Sequence, residues 1–316
     1  MPLDPRAGRL LGMLGGAAGE GDASPAARRA ALRGLAEMAD DRKTPADVRD
    51  LAAAGPAGAI PLRLYSPVGA QAATLPGLVF FHGGGWVAGD LNTHDGLCRR
   101  LADAAGCRVI AVDYRLAPEH PFPAALDDAL AATRWIADNA QRLGLDATRL
   151  AVGGDSVGGG LAAAVAQMAW DADGPAIALQ VLICPILDVA RAGGSRRTFG
   201  DGYFISRAAF ARDLADYRGA GAKTSDPRLS PGRAAGLAPL PHAILHTAEF
   251  DPFRDEGEAY AKALSAAGVP VMFQRHAGMI HYFYALARAI PAAHDAAALI
   301  GAQVRAAFEA DAVAAA

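Results

Sequence analysis

Between residues 60 and 310 the chain repeats one arrangement: a short apolar run of β-type residues, a turn, then a stretch with helical periodicity. The runs are IPLRLY (60–65), LPGLVFFH (75–82), CRVIAVDY (107–114), RLAVGG (149–154), IALQVLICP (177–185), HAILHTA (242–248) and VPVMFQRH (269–276). Helical patterns cover 93–105, 123–141, 157–170, 255–267 and 291–310. Strand-then-helix order of this kind predicts an α/β fold, a mostly parallel, doubly wound sheet with helices on both faces. A length of 316 residues fits one large α/β domain with an embellishment.

Two stretches stand outside the rhythm. Residues 1–50 are rich in Ala, Arg and Asp and are expected to form one or two helices with a loop, ADDRKTPADV being the most polar part. Residues 188–235 read as loop and helix without a strand, and they are too long for an ordinary connection. They are read as an insertion over the C-terminal edge of the sheet, where α/β proteins bind ligands. Tyr203, Phe204 and Phe210 at helical spacing favour a lid over a surface decoration.

Composition narrows the function classes. The formal charge is −3, with no basic stripe for nucleic acid and no polybasic segment for an anionic membrane. Arg6 and Arg9 before LLGMLGGAA only faintly resemble a secretion signal, because Asp4 and the interrupting glycines spoil it. No apolar run reaches the roughly 18–20 residues of a membrane span. Cys98, Cys107 and Cys184 are odd in number and include no C-x-x-C, so reduced thiols and a cytoplasmic location are expected rather than disulfides or a zinc knuckle.

The stretch VGGDSVGGG (152–160) joins an expected strand to an expected helix, and such a turn can cradle a phosphate or hold up a nucleophile. Gly158, Gly160 and Ala163 fit G-x-G-x-x-A, but that frame starts inside the helix, and no acidic residue ends the next strand at the right distance. A Lys-Ser or Lys-Thr for a P-loop is missing too. Gly154-Asp155-Ser156-Val157-Gly158 is G-x-S-x-G, in which glycines two places either side of a serine remove the Cβ atoms that a sharp strand-to-helix turn would crowd. A serine nucleophile needs a base, a carboxylate to orient it, and N–H groups for the oxyanion, in the chain order Ser, acid, His at strand ends. Asp251 follows the strand at 242–248, His281 follows the strand at 269–276, and Gly83, Gly84 and Gly85 follow the strand at 75–82. Glu249, Asp188 and Asp255 are rival acids and His276 a rival base. His82 is expected to position the glycine loop, His246 to be a buried structural histidine, and Asp113 with Arg115 to form an ion pair or bind backbone in their turn. His94, His120, His242 and His294 have no acid or serine pattern around them.

With His82-Gly83-Gly84-Gly85-Trp86, Asp113-Tyr114-Arg115-Leu116-Ala117-Pro118-Glu119, Gly154-Asp155-Ser156-Val157-Gly158-Gly159, Asp251-Pro252 and Met279-Ile280-His281 together, the chain resembles the bacterial hormone-sensitive-lipase family of carboxylesterases, on the α/β-hydrolase fold. The opening MPLDPRAGRLLGML and IPLRLYSP extend the likeness over nearly the whole chain. The resemblance implies Ser156 as nucleophile, His281 as base and Asp251 as its orienting acid, with an oxyanion hole from the N–H groups of Gly84, Gly85 and Val157. It implies a helical cap from residues 1–50 and 188–225 over a catalytic domain of 51–187 and 226–316. It implies a short-to-medium acyl ester as substrate and no metal or organic cofactor. Trp86, Asp155, Phe204 and Tyr282 are the expected pocket residues. Val157 and Tyr282 depart from the family's usual Ala and Gly, and Tyr282 is expected to alter substrate choice. An amidase or peptidase with the same triad and a non-catalytic small-molecule receptor are the alternatives, and a homodimer is compatible with the sequence.

Overall fold

The computed structural model describes residues 1–17, 24–39, 41, 44–70, 73–171 and 174–314. In chain order it contains α1 (Pro5–Ala17), α2 (Pro25–Ala39), β1 (Asp47–Gly55), β2 (Gly58–Ser66), β3 (Leu75–Phe81), α3 (Asp95–Ala105), β4 (Arg108–Val112), α4 (Ala124–Asp138) and α5 (Ala140–Leu143). Then follow β5 (Leu145–Asp155), α6 (Val157–Asp171), β6 (Leu179–Ile183), α7 (Gly194–Thr198), α8 (Arg207–Arg218), β7 (His242–Phe250), α9 (Arg254–Ala266), β8 (Val271–Ile280) and α10 (Ala292–Ala314). All seven expected strands are present. Asp40, Arg42 and Lys43 of the expected polar loop lie outside the described residues.

The strands form one eight-stranded sheet in the order β1-β2-β4-β3-β5-β6-β7-β8. β2 pairs antiparallel with both β1 and β4; every other pairing is parallel. β4 and β6 are buried along their whole length, as central strands covered on both faces must be. Two cores lie on opposite faces. One holds Leu126 of α4, Leu161 of α6 and Leu264 of α9. The other holds Leu101 of α3, Ile300 of α10 and Leu10 of α1.

The expectation of helix and loop up to residue 50 needs correction, because β1 begins at Asp47 and pairs residue for residue with β2 as far as Gly55 opposite Gly58. Its sequence, DVRDLAAAG, carries three alanines and two aspartates, which are poor strand formers, and it is mostly exposed. The hairpin with β2 imposes the strand. The insertion contains α7 and α8 and no strand, as expected.

A chain of side-chain hydrogen bonds fixes the β7–β8 edge to α10. His246 Nε2 lies 2.7 Å from Gln303 Oε1, and His246 Nδ1 lies 2.8 Å from His276 Nε2. Burial pushes both imidazoles down to about 4, with Gln303 opposing at His246 and His246 adding to the effect at His276. The folded protein therefore holds fewer protons than the unfolded chain between about pH 6.5 and 4. The stability these groups contribute is complete above that window and is lost as pH falls through it. Asp113 and Glu256, pushed up by burial to about 6 and about 7, act with the opposite sign. The contribution is isolated by comparing wild type with His246→Gln/His276→Asn: urea midpoints measured from pH 7 to 4 are expected to fall less steeply with acid in the variant.

Candidate active site

Ser156 stands between the last residue of β5 and the first of α6 with φ 55°, a left-handed conformation for a non-glycine residue. Its N–H donates to Ile183 O at 2.9 Å, which fixes the turn against β6. A Cβ on Gly154 or on Gly158 would run into the carbonyl oxygen of Phe81 in β3, so both flanking glycines are required by close approach. The serine hydroxyl is thereby raised at the C-terminal edge of the sheet.

His281 follows β8 directly and Asp251 follows β7 directly. His281 Nε2 is 3.0 Å from Ser156 Oγ, and His281 Nδ1 is 2.7 Å from Asp251 Oδ2. Asp251 Oδ1 accepts the N–H of Phe253 at 2.7 Å, which holds the carboxylate in place. The Phe253 ring meets the imidazole edge-on at 5.3 Å. All three side chains are buried, Ser156 retaining 5% exposure. The rival groups are engaged elsewhere. Glu249 accepts from Gly278 N–H at 2.7 Å, Asp255 from Ser195 N–H at 2.8 Å and Asp188 from Arg233 at 2.6 Å, while His276 faces His246.

Cys184 belongs to this neighbourhood. It sits just past β6 with φ 44°. Its sulfur, a carboxylate oxygen of Asp251 and a ring nitrogen of His281 lie within 4.8 Å of one another. Burial pushes the thiol well above its ordinary range, and the charge and hydrogen bond of Asp251 add to it. The group is thus held as S–H toward the carboxylate, whereas metal ligation calls for a thiolate. No sequence motif marks this contact, because it joins two strand ends that are far apart in the chain.

The glycine loop after β3 is braced from below. Asp155 is fully buried; it accepts Gly83 N–H at 2.9 Å and the Tyr284 hydroxyl at 3.2 Å, and lies 3.1 Å from His94 Nε2. Burial alone would push its carboxyl up, but the charge and hydrogen bond of His94, with help from His82 and Gly83, hold it below the ordinary range. His82 stacks on Tyr114 at 4.3 Å, and burial pushes it down to about 4, with His94 adding to the shift. His94 is the residue that sequence reasoning passed over, since nothing near it in the chain signals its partner. Arg115 pairs with Asp128 of α4 at 2.8 Å rather than with Asp113.

A cavity of about 230 Å³ opens over the serine, lined by Ser156, His281, Gly84, Gly85, Phe204 and Tyr282 among others. Phe204 and Tyr282, both with positive φ, stack on each other at 5.6 Å. Two of the expected pocket residues are placed elsewhere. Asp155 lies beneath the loop, and Trp86 is buried against Tyr217 of α8, stacked at 4.6 Å. Asp155 is engaged by Gly83 and His94 and Trp86 by Tyr217, so neither lines the cavity. Of the three insertion aromatics, Phe204 and Phe210 reach the cavity, while Tyr203 stacks on Phe250 at 5.5 Å.

A family profile described as the alpha/beta hydrolase fold matches residues 78–285. The chain is 44% identical over 251 residues to Esterase LipI of Mycobacterium tuberculosis, covering 79% of this chain and 78% of that protein. It is 41% identical over 243 residues to an ethyl acetate hydrolase of Pseudomonas putida, covering 76% of each. Among solved structures, the ester hydrolase EH1AB1 from the metagenome of Lake Arreo superposes with a TM-score of 0.93 at 42% identity, covering 97% of this chain and 99% of that one. With its sheet order, its buried serine–imidazole–carboxylate chain and these likenesses, the chain belongs to the hormone-sensitive-lipase-like family of α/β hydrolases.

Proposed function

We propose that the chain is a serine carboxylesterase that cleaves short-to-medium-chain acyl esters through an acyl-enzyme. The observation that carries this reading is the hydrogen-bonded line Ser156–His281–Asp251, with its 3.0 and 2.7 Å links, opening on a small and largely apolar cavity. Cys98, Cys107 and Cys184 are buried thiols, which supports residence in a reducing compartment. Among the described residues no helix is long and apolar enough to cross a membrane.

His281 Nε2 takes the Ser156 proton as Oγ attacks the ester carbonyl, and Asp251 holds the ring in register and stabilises the imidazolium. The oxyanion rests on the N–H groups of Gly84, Gly85 and Val157, each such donor contributing roughly 10²–10³ in turnover. Only the backbone of Val157 is used, so the extra methyls cost no chemistry. The carbon–oxygen bond to the alcohol breaks, and the alcohol leaves with the proton from His281. Water then enters, gives its proton to His281 and attacks the acyl-enzyme, which releases the acid and restores Ser156. The cap of this reading is made of α1, α2 and residues 188–225. Arg28 of α2 joins its two halves, because it pairs with both Asp213 and Asp216 of α8.

Ser156→Ala is expected to lower kcat on p-nitrophenyl butyrate by about 10⁴-fold or more, and Asp251→Asn by about 10⁴-fold. Retention of most activity by Ser156→Ala ends the assignment. A parallel panel of p-nitroanilides tests the amidase alternative, and esters are expected to be strongly preferred. Tyr282 occupies a left-handed position, φ 67°, that glycine adopts without strain. Tyr282→Gly is therefore free of backbone strain, though it leaves a cavity beside Phe204, and it is expected to change relative rates across a panel of esters differing in acyl shape. Unchanged relative rates would remove Tyr282 from the list of specificity residues.

A further inference from the structure

The cavity is lined by apolar side chains, among them Ile186, Phe204, Ile205, Phe210 and Phe253, and also by charged ones, Arg28 from α2 with Arg212 and Asp213 from α8. Arg28 Nη1 donates to Asp213 Oδ1 and Nη2 to Asp216 Oδ2, so one guanidinium is clamped between two carboxylates on successive turns of α8. The three side chains keep only 15%, 22% and 29% of their exposure. The clamp also lies directly on the glycine loop. Gly85 has φ 66°, and a Cβ there would fall on the Asp213 carboxylate.

The helix that carries Arg28 is itself tied down. Arg29 donates to the carbonyl oxygens of Val87 at 2.8 Å and Ala117 at 3.1 Å and pairs with Glu119 at 2.6 Å, and Arg33 pairs with Asp90 at 2.7 Å. The guanidinium therefore cannot be displaced by sliding α2 away from the catalytic domain without breaking these contacts.

We propose that Arg28, clamped by Asp213 and Asp216, is a specificity-determining stop that ends one arm of the substrate cavity and restricts the ester to short chains on that side. The inference rests on the esterase reading and adds to it a length limit and the residue that sets it. Magnitudes decide that the clamp acts as a wall. A hydrogen bond to a charged group is worth about a 10- to 100-fold factor in equilibrium, and two would have to break. A buried methylene gains only about fourfold. An alkyl chain that reaches the clamp gains too little to open it, and it cannot solvate the charges it would leave behind. The 230 Å³ cavity is already below the roughly 300–1,000 Å³ usual for small-molecule sites.

The test is kcat/KM for two ester series on the full chain. Acyl length is varied in p-nitrophenyl esters from acetate to decanoate, and alcohol length in acetates from ethyl to octyl. Arg28→Ala is expected to raise the octanoate-to-butyrate ratio, or the octyl-to-butyl ratio, by about tenfold or more, from two or more methylenes newly seated. The series that responds identifies the arm. Arg28→Lys, which keeps a cation in the clamp, is expected to leave both ratios within twofold of wild type. Should Arg28→Ala fail to fold, Arg28→Ala/Asp213→Asn/Asp216→Asn removes all the charges together, and the same rise is expected. Both ratios unchanged in a variant that still cleaves acetate would overturn the proposal, as would an equal fall on every ester, which marks a structural strap alone. A wild type inert to all esters rejects the esterase reading, and the stop with it. A wild type active on esters with unmoved ratios in the variants rejects the stop and leaves that reading intact.

Discussion

The buried carboxylate of Asp155 is the contact on which the geometry of the site depends. It belongs to the residue just before Ser156, and it accepts the N–H of Gly83. One side chain therefore sets the glycine loop after β3 at a fixed height over the nucleophile turn after β5. A fully buried charge is tolerable only with partners. His94, Tyr284 and the Gly83 N–H supply them, from the start of α3, the segment after β8 and the loop itself. Four separate parts of the chain are thereby brought to one point. If the proposed oxyanion donors Gly84 and Gly85 are to meet a developing charge on the carbonyl, this is the contact that sets their distance from it.

Strain collects around the same point. The non-glycine residues with positive φ among those described are Trp86, Ser156, Cys184, Phe204 and Tyr282. Each belongs to the site or its immediate support: the glycine loop, the nucleophile turn, the neighbour of Asp251, and the stacked pair in the cavity wall. Such backbones cost on the order of 1–3 kcal/mol each and persist only where the surroundings over-determine them. The surroundings here are a sheet packed on both faces by two extensive apolar cores. The proposed triad stands at strand ends, while the cavity wall is drawn from the loops beside them and from α2 and α8. That division places chemistry on the scaffold and leaves substrate choice to the periphery.

Much of this was legible in the residues. The strand–helix alternation gave away seven of the eight strands. Local glycine chemistry marked Ser156, and chain order placed Asp251 and His281 after the right strands. The strand that escaped, β1, has alanines and aspartates where a strand usually has branched residues, and only its pairing with β2 makes it one. Trp86 and Asp155 were candidate pocket residues, and neither lines the cavity. Asp155 turns beneath the loop to Gly83 and His94, whereas Trp86, at φ 61°, turns to Tyr217 of α8.

By itself the sequence determined the things that depend on neighbours along the chain: the period of apolar residues, the small residues around Ser156, and the order of Ser156, Asp251 and His281. The tertiary structure alone decided what depends on groups that meet across the fold. Of Asp251, Glu249, Asp188 and Asp255, it brings Asp251 to 2.7 Å from His281 Nδ1 and engages the other three elsewhere. It revealed His94 beneath the loop, Cys184 beside Asp251 and Arg28 between Asp213 and Asp216. Hydrogen bonds and charges act over a few ångströms in space, and separation along a chain of this length says nothing about which groups come within that reach.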